Sequence, residues 1–481
     1  MLVAREDSGR LQILDRLREP VRLAAGLGAD GGLAADAQNR ALACLSRFGQ
    51  RLRGIPPARV RVVGTNTLRK LNDGGMFVAT AENALGHSIE VVSGLEEARL
   101  VYAGVVRDLD GAPPRRLVVD IGGGSTELII GRNGQSRMME SVGVGCVSHT
   151  LAFFGDGQIT RGRMQEARLA ARVQMEFLQR RFRRAGWDYA IGASGTVRGA
   201  WRVMRAQGWC NDTITAQALE RTLALTVAVG QVRKLDLPGL REDRRPVFPG
   251  GLAVLAAVFD MLQLEELATS EAALREGVIY DLLGRLHDRD VRGDTVTGLA
   301  QRYGVDRRQA ADVERTALRL LDAVAVPWEL ERDGAARLLS WAARLHEIGL
   351  AIAHDGYPKH AEYLLRNGDL PGFSLTEQRQ LAALVRLQRG RPSRAVLEDL
   401  PPAQRTVLAR LAAVFRLAVL LHRSRTPRLR LPVSLCADGK RLRVGLPARW
   451  LARHPLTRAD LRLERGHIVA LGVKLAVEET A

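Results

Sequence analysis

Asp120 and Glu127 stand on either side of a glycine-rich run in LVVDIGGGSTELIIG, residues 117–131. Two carboxylates that flank a turn suit a hard cation such as Mg2+, bound directly or through water. Between them, Gly122, Gly123 and Gly124 carry no Cβ, and Ser125 follows. Backbone N–H groups there can approach an anion of phosphate size. Asp120 also sits in an otherwise apolar run, where a charge is costly unless something pairs with it. Phosphoryl transfer to water needs N–H donors around the phosphoryl group, a cation for its oxygens, and a base or orienting group for the water. Glu97 or its neighbour Glu96 can supply the last, although paired acids also favour the first turn of any helix. Arg69, just after GTNTL, can grip phosphate oxygens bidentately.

The elements that must position these groups read as α/β. LVVDI and LII are strands around a tight turn. RVRVVGTNTLRK, HSIEVVSGLEEARLVYAGVVRD and WDYAIGASGTVRGAWRV each run from a strand through a glycine turn into a helix. Four glycine turns recur, GTNT (64–67), GGGST (122–126), GASGT (192–196) and PGG (249–251), and their repetition predicts loops converging on one phosphate-bearing crevice between two lobes. Neither GxxxxGK[ST] nor a GxGxxG with its ribose-reading acid is present. The expected division is a first lobe over 1–108, a second over 109–288 beginning near the polar turn DGAPPRR, a helical domain over 289–425, and a small α+β tail over 426–481.

A chain of 481 residues is too long for one core. Lys and Arg outnumber Asp and Glu by 71 to 53, and the net charge of +18 favours a polyanionic partner or substrate. Aromatic residues are 5%, and Trp201, Arg202 and Arg205 form no aromatic ladder, which argues against single-stranded nucleic acid. Basic clusters at 180–184, 241–245 and 423–430 are solvated charge or the lining of a polyanion channel. Cys44, Cys146, Cys210 and Cys436 show neither zinc nor disulfide spacing, which fits a reducing cytoplasm. RLAAVFRLAVLL is interrupted by charge, so no integral membrane segment is expected, while peripheral contact with an acidic membrane stays open. The first residues lack a signal-peptide core.

GTNTLRKLN (64–72), VVSGLEEARLVYAGV (91–105), VVDIGGGSTELI (118–129), GCVSHTLAFF (145–154), IGASGT (191–196), PGGLAVLAAVFDML (249–262) and ALREGVIYDLL (273–283) resemble motifs of the exopolyphosphatase/guanosine pentaphosphate phosphatase family. LHEIGLAIAHDGYPKHAEYLLRNGDLPGF (345–373) is similar to the third domain of its long members, a relative of HD phosphohydrolases. The resemblance implies two actin-like, ribonuclease H-like lobes, a helical HD-like domain, a small tail, and a homodimer. It places the catalytic base at Glu97, with Glu96 second. Asp120 and Glu127 fall near Mg2+ and the phosphates, and Gly122–Ser125 and Gly192–Gly195, with Ser194, fall on phosphate-binding turns. Arg69 falls on the arginine of the TLR motif.

Family members remove terminal phosphate from polyphosphate or the 5′ γ-phosphate of guanosine pentaphosphate (pppGpp). The basic charge and long helical module lean toward a Mg2+-dependent exopolyphosphatase. The alternatives are a pppGpp 5′-phosphatase and a non-catalytic polyanion or alarmone binder. SGLEEA speaks against a sugar or acetate kinase-like transferase.

Three departures stand out. The family opens with a strand and a DLGSNS-like loop, whereas MLVAREDSGRLQILDRLREP resembles the residues just after that loop, so a start upstream of Met1 is expected. Val142 and Gly143 stand before GCV, where some polyphosphatases carry basic residues. In the helical domain relatives often carry a histidine near Gln388. There His346, Glu347, His354, Asp355 and His360 cluster in sequence, but Leu345-His346-Glu347 replaces an adjacent His-Asp pair, and a structural remnant is expected instead of a metal hydrolase.

Overall fold

The computed structural model describes the chain except residues 8–9, 29, 73, 108–113, 288–289, 427–431 and 481. The expected borders at 108–109 and 288–289, the start of the 110–116 turn and the end of the 423–430 basic cluster lie outside the described residues. The chain forms two compact units, Met1–Arg289 and Asp290–Ala481.

The first unit holds two mixed α/β lobes. In the first lobe, β1 (Leu2–Asp7) and β2 (Arg10–Arg16) form an antiparallel hairpin. β3 (Val63–Gly64) pairs in parallel with β4 (Glu90–Val91). Helices Ala35–Leu52, Gly74–Leu85 and Gly94–Arg107 follow β2, β3 and β4 in turn. In the second lobe, β5 (Arg115–Ile121), β6 (Thr126–Arg132), β7 (Gln135–Val142), β8 (Tyr189–Gly192), β9 (Thr213–Thr215) and β10 (Glu266–Thr269) make one sheet in the order β7-β6-β5-β8-β10-β9. β5 is antiparallel to β6 and parallel to β8. Bonded on both sides, it buries consecutive residues rather than alternate ones, and Leu117, Val118 and Val119 are 0% exposed.

The first lobe repeats this connectivity with one strand fewer. Its hairpin matches β6–β7, and its parallel pair matches β8–β10. Among the described residues no ladder joins the two pieces, so no strand takes the place that β5 holds in the second lobe.

Helix Phe248–Leu262 is apolar on every side, and all of it except Asp260 is buried. Pro249 in its first turn forfeits an N–H that would have no helical partner anyway. Together with the 3-10 turn before it, the segment Glu242–Leu262 is long and apolar enough, by length and composition, to cross a membrane. It is 78% buried inside the protein, the mark of a core helix.

The second unit is helical from Val291 to Leu421, with helices capped by Asp306, Glu331 and Ser374 side chains. β11 (Ser434–Asp438) and β12 (Arg441–Pro447) are antiparallel, and β13 (Lys474–Thr480) runs parallel to β12. Leu442, Val444 and Leu446 of this small sheet join the same hydrophobic core as Val313, Leu339 and Phe415 of the helices.

Candidate active site

The β5–β6 register sets Asp120 directly opposite Glu127. The next register sets Glu127 opposite Ser141 on β7, and Ser141 Oγ donates to Glu127 Oε1 at 2.8 Å. Two carboxylates on adjacent strands therefore share one face by construction.

The turn between them is tied down from behind. Gly122 N–H donates to Ser125 O at 2.9 Å, while Cys146 N–H and Val147 N–H donate to Gly122 O and Gly123 O at 2.9 and 2.8 Å. The helix Cys146–Phe154 thus uses its unpaired first-turn amides on the carbonyls of the turn. The N–H groups of Gly123 and Gly124 find no acceptor among the described residues. A Cβ on Gly124 would lie 2.7 Å from Asn66 Oδ1, so the GTNT turn abuts the triple glycine.

Glu97 enters from the first turn of helix Gly94–Arg107. Arg69 Nη1 donates to Glu97 Oε2 at 3.0 Å and to Val92 O at 2.8 Å. The remaining guanidinium edge of Arg69 has no hydrogen-bond partner among the described residues, so it is the edge open to a phosphate. Glu96 turns the other way. It is 1% exposed, its carboxylate accepts from Arg99 Nε at 2.7 Å, and Arg61 lies 3.8 Å away. Arg61 and Arg99 also pair with Asp281, and Arg61 and Arg285 with Glu90. Of the two adjacent glutamates, Glu96 joins the ion pairs that brace the helix and Glu97 meets Arg69.

Asp120, Glu127 and Glu97 crowd one another. Burial, then the charge of Glu97, pushes Asp120 up to about 7, against a partial offset from Arg198. Burial, then Glu97 and Asp120, pushes Glu127 well above the usual carboxylate range. Burial also raises Glu97, opposed by Arg69 and by a Thr65 hydrogen bond. No group of three or more His, Cys, Asp or Glu side chains among the described residues is arranged as metal ligands. Two crowded carboxylates still suit Mg2+, which keeps most of its waters and takes one or two carboxylates plus substrate phosphate. A divalent cation would relieve the repulsion that raises both groups.

The other glycine turns divide. Ser194 caps helix Gly195–Ala206, its Oγ accepting from Val197 N–H at 3.1 Å, and Thr196 Oγ1 donates to Ile121 O at 3.1 Å, which ties this turn to the end of β5. The guanidinium of Arg244 lies where a Cβ of Gly195 would be. Gly192 is buried and faces Val197 and Leu267 instead of the triple-glycine turn. PGG is no phosphate turn. Gly250 and Gly251 are buried in the first turn of the core helix, where they admit Thr150, Cys146 and Thr196. Proline before glycine looked like a loop, but here it starts a helix that crosses its neighbour closely. Asn66, Ser141, Arg198 and Arg244 were missed by sequence reading, because only the fold brings them to the turn.

The His346 group in the second unit forms no comparable site. Burial pushes His346 down to about 4, and its Nδ1 lies 2.7 Å from Ala343 O. Arg425 pairs with Glu347 and, at 3.3 Å, with Asp306, so a guanidinium sits between the acids. His354 and Asp355 are exposed.

Residues 2–286 match the model of the Ppx/GppA phosphatase family, and residues 291–465 match that of Ppx/GppA phosphatase domain III. The chain is 39% identical over 464 residues to a protein of Aeromonas hydrophila subsp. hydrophila named guanosine-5′-triphosphate,3′-diphosphate pyrophosphatase, a match spanning 96% of this chain and 93% of that one. A Vibrio cholerae serotype O1 protein of the same name is 38% identical over 478 residues, spanning 99% and 95%. Among solved structures, an exopolyphosphatase from Cytophaga hutchinsonii superposes with a TM-score of 0.53 at 21% identity, covering 59% of this chain and 93% of that one. An exopolyphosphatase-like protein superposes with a TM-score of 0.51 at 23% identity, covering 59% and 94%. At those identities the likeness bears on the fold alone. The family models together cover nearly the whole chain, so it belongs to the Ppx/GppA phosphatase family.

Proposed function

We propose that the chain hydrolyses the terminal 5′ phosphoanhydride of pppGpp, releasing orthophosphate and guanosine tetraphosphate (ppGpp). The observation that carries this is the name shared by relatives that match 96–99% of the chain. Val142 and Gly143, where some polyphosphatases carry basic residues, point the same way. The nucleotide therefore takes precedence over the long polyphosphate that charge alone favoured.

In this reading Glu97 holds a water in line with the γ-phosphorus and accepts its proton. A new P–O bond forms as the bond to the β,γ-bridging oxygen breaks, and the bridging oxygen leaves with the electron pair on ppGpp. The raised pKa of Glu97 suits a base working near neutral pH. Arg69 fixes the Glu97 carboxylate with one nitrogen and offers its free edge to the phosphate. The Gly123 and Gly124 amides face the charge that grows on the phosphoryl oxygens. Asp120 and Glu127 would hold Mg2+, which when bound neutralises phosphate charge. We set the reaction in the cytoplasm, a reading supported by four free thiols, Cys44, Cys146, Cys210 and Cys436.

The test is orthophosphate release from pppGpp and from long polyphosphate with Mg2+, beside a Glu97→Gln control. We expect kcat/KM for pppGpp to exceed that for polyphosphate and to collapse in the control. Faster release from polyphosphate would overturn the substrate assignment, and release that survives in the control would overturn the role of Glu97.

A further inference from the structure

Helix Arg161–Ala185 of the second lobe carries two apolar faces, and its core uses one of them. Met164, Ala171, Met175, Leu178 and Phe182 are buried in the core of that lobe. On the opposite side Leu169, Val173 and Phe177 follow at four-residue spacing and are 61%, 60% and 70% exposed. At ~100° per residue each step of four turns the helix by only ~40°, so the three form one ridge about 12 Å long. Scattered apolar residues on a surface are ordinary, whereas three large ones in a row mark a contact face.

The charges along the ridge say what fits it. Glu166 lies seven residues before Val173, and Arg180 lies seven residues after it. Seven residues make nearly two turns, so both charges stand in line with the ridge. Both are exposed, and neither has a hydrogen bond or ion pair among the described residues. The row therefore reads acid, Leu, Val, Phe, base, with Val173 at its centre. A second copy laid antiparallel about a twofold axis at Val173 sets Val173 against Val173. The same operation sets each Leu169 beside a Phe177 and each Glu166 beside an Arg180. A parallel copy would set acid on acid and base on base. Glu166 and the exposed Glu176 also disfavour an acidic lipid surface as the occupant.

We infer that this ridge is a self-complementary docking face, through which two copies of the chain pair helix against antiparallel helix. Such a contact is isologous and closes at two copies. One helix from each copy makes a small interface, so association in the micromolar range is expected.

The test is disulfide trapping of the full chain, with the exposed native thiol Cys436 changed to Ser. Under mild oxidation at micromolar protein, Val173→Cys should form a cross-linked dimer, because only a residue on the twofold axis meets its own copy. Leu169→Cys and Phe177→Cys should each cross-link poorly alone and well when mixed. No dimer from Val173→Cys, or equal trapping at all three positions alone, would overturn the pairing. Sedimentation equilibrium reads the same contact without a cross-link. Arg180→Glu should weaken association about tenfold, and adding Glu166→Arg should restore it. Phe177→Ser should abolish it, with an unchanged melting temperature in each variant because these side chains are exposed. Association unmoved by Arg180→Glu and Phe177→Ser would place the contact elsewhere and overturn the inference. A protein that stays monomeric but floats with phosphatidylglycerol vesicles through Phe177 would also overturn it, in favour of a lipid surface.

Discussion

In the second lobe the triple-glycine turn hangs from a strand bonded on both sides and sealed by apolar residues. In the first lobe two short strand pairs stand apart, and the helix that carries Glu97 adds a buried ion network to the apolar face it packs on Val118 and Ile129. Asp281 receives Arg61 at 2.6 Å, Arg285 at 3.1 Å and Arg99, all under the same helix. The helices Gly94–Arg107 and Leu274–Leu286 cross closely enough that a Cβ on Gly277 would overlap Leu100 O. One lobe thus holds its carboxylates by strand register, and the other holds its glutamate by ion pairs and a tight helix crossing. A register is local and stiff. An ion network assembled from residues 61, 90, 96, 99, 281 and 285 depends on each member, because a buried charge that loses its partner is costly.

Mutations and pH can break this contrast. The largest effect is expected for Glu97→Gln: release of orthophosphate should fall about 10^2–10^4-fold, the range for removing a general base. Thermal melting should show the fold unharmed, since Glu97 is itself a repelling charge. Asp281→Ala should cost about 3–5 kcal/mol in denaturant unfolding by stranding Arg61 and Arg99. Leu128→Ala, in the apolar half of β6, should cost a comparable ~2–5 kcal/mol through a cavity. The two losses differ in their response to pH. Burial opposes ionisation of Asp281, yet Arg99, Arg61 and Arg285 hold its pKa below the ordinary value. Its contribution is therefore present at neutral pH and lost on acidification, and only Asp281→Ala should flatten the acid limb of the stability curve.

Asp120 has the opposite sign. Its pKa rises from 3.8 to about 7, so the stability it contributes is full below about 4 and is lost as pH climbs through 7. Without divalent cation, Asp120→Asn should be more stable than wild type at pH 8, on the order of 1–3 kcal/mol, and inactive. A variant no more stable than wild type at that pH would show that the crowding of carboxylates is relieved by other means. Smallest is Ser194→Ala, which removes the cap of helix Gly195–Ala206 and should cost about 1 kcal/mol by urea titration.

Much of the site was legible because much of it is local. Asp120, the triple glycine and Glu127 lie within eight consecutive residues, and strand, turn and strand leave few ways to arrange them. The choice between Glu96 and Glu97 was not legible from pattern. Neighbours on a helix point about 100° apart, and which one meets Arg99 and which one Arg69 depends on what lies against each side. PGG read as a loop because Pro and Gly punctuate turns, whereas burial against Thr150 and Cys146 shows that the glycines permit a close crossing.

By itself the sequence determined the lobed α/β architecture, the helical module and the turn between two carboxylates, since periodicity and adjacency act over a few residues. Tertiary structure alone decided which glutamate meets Arg69 and which meets Arg99. It also decided that Arg16, Arg18, Arg198, Arg202, Arg241, Arg244 and Arg275 line one cleft. Those outcomes depend on burial and on charges far apart in the chain, and distance in sequence carries no information about either until the chain has folded.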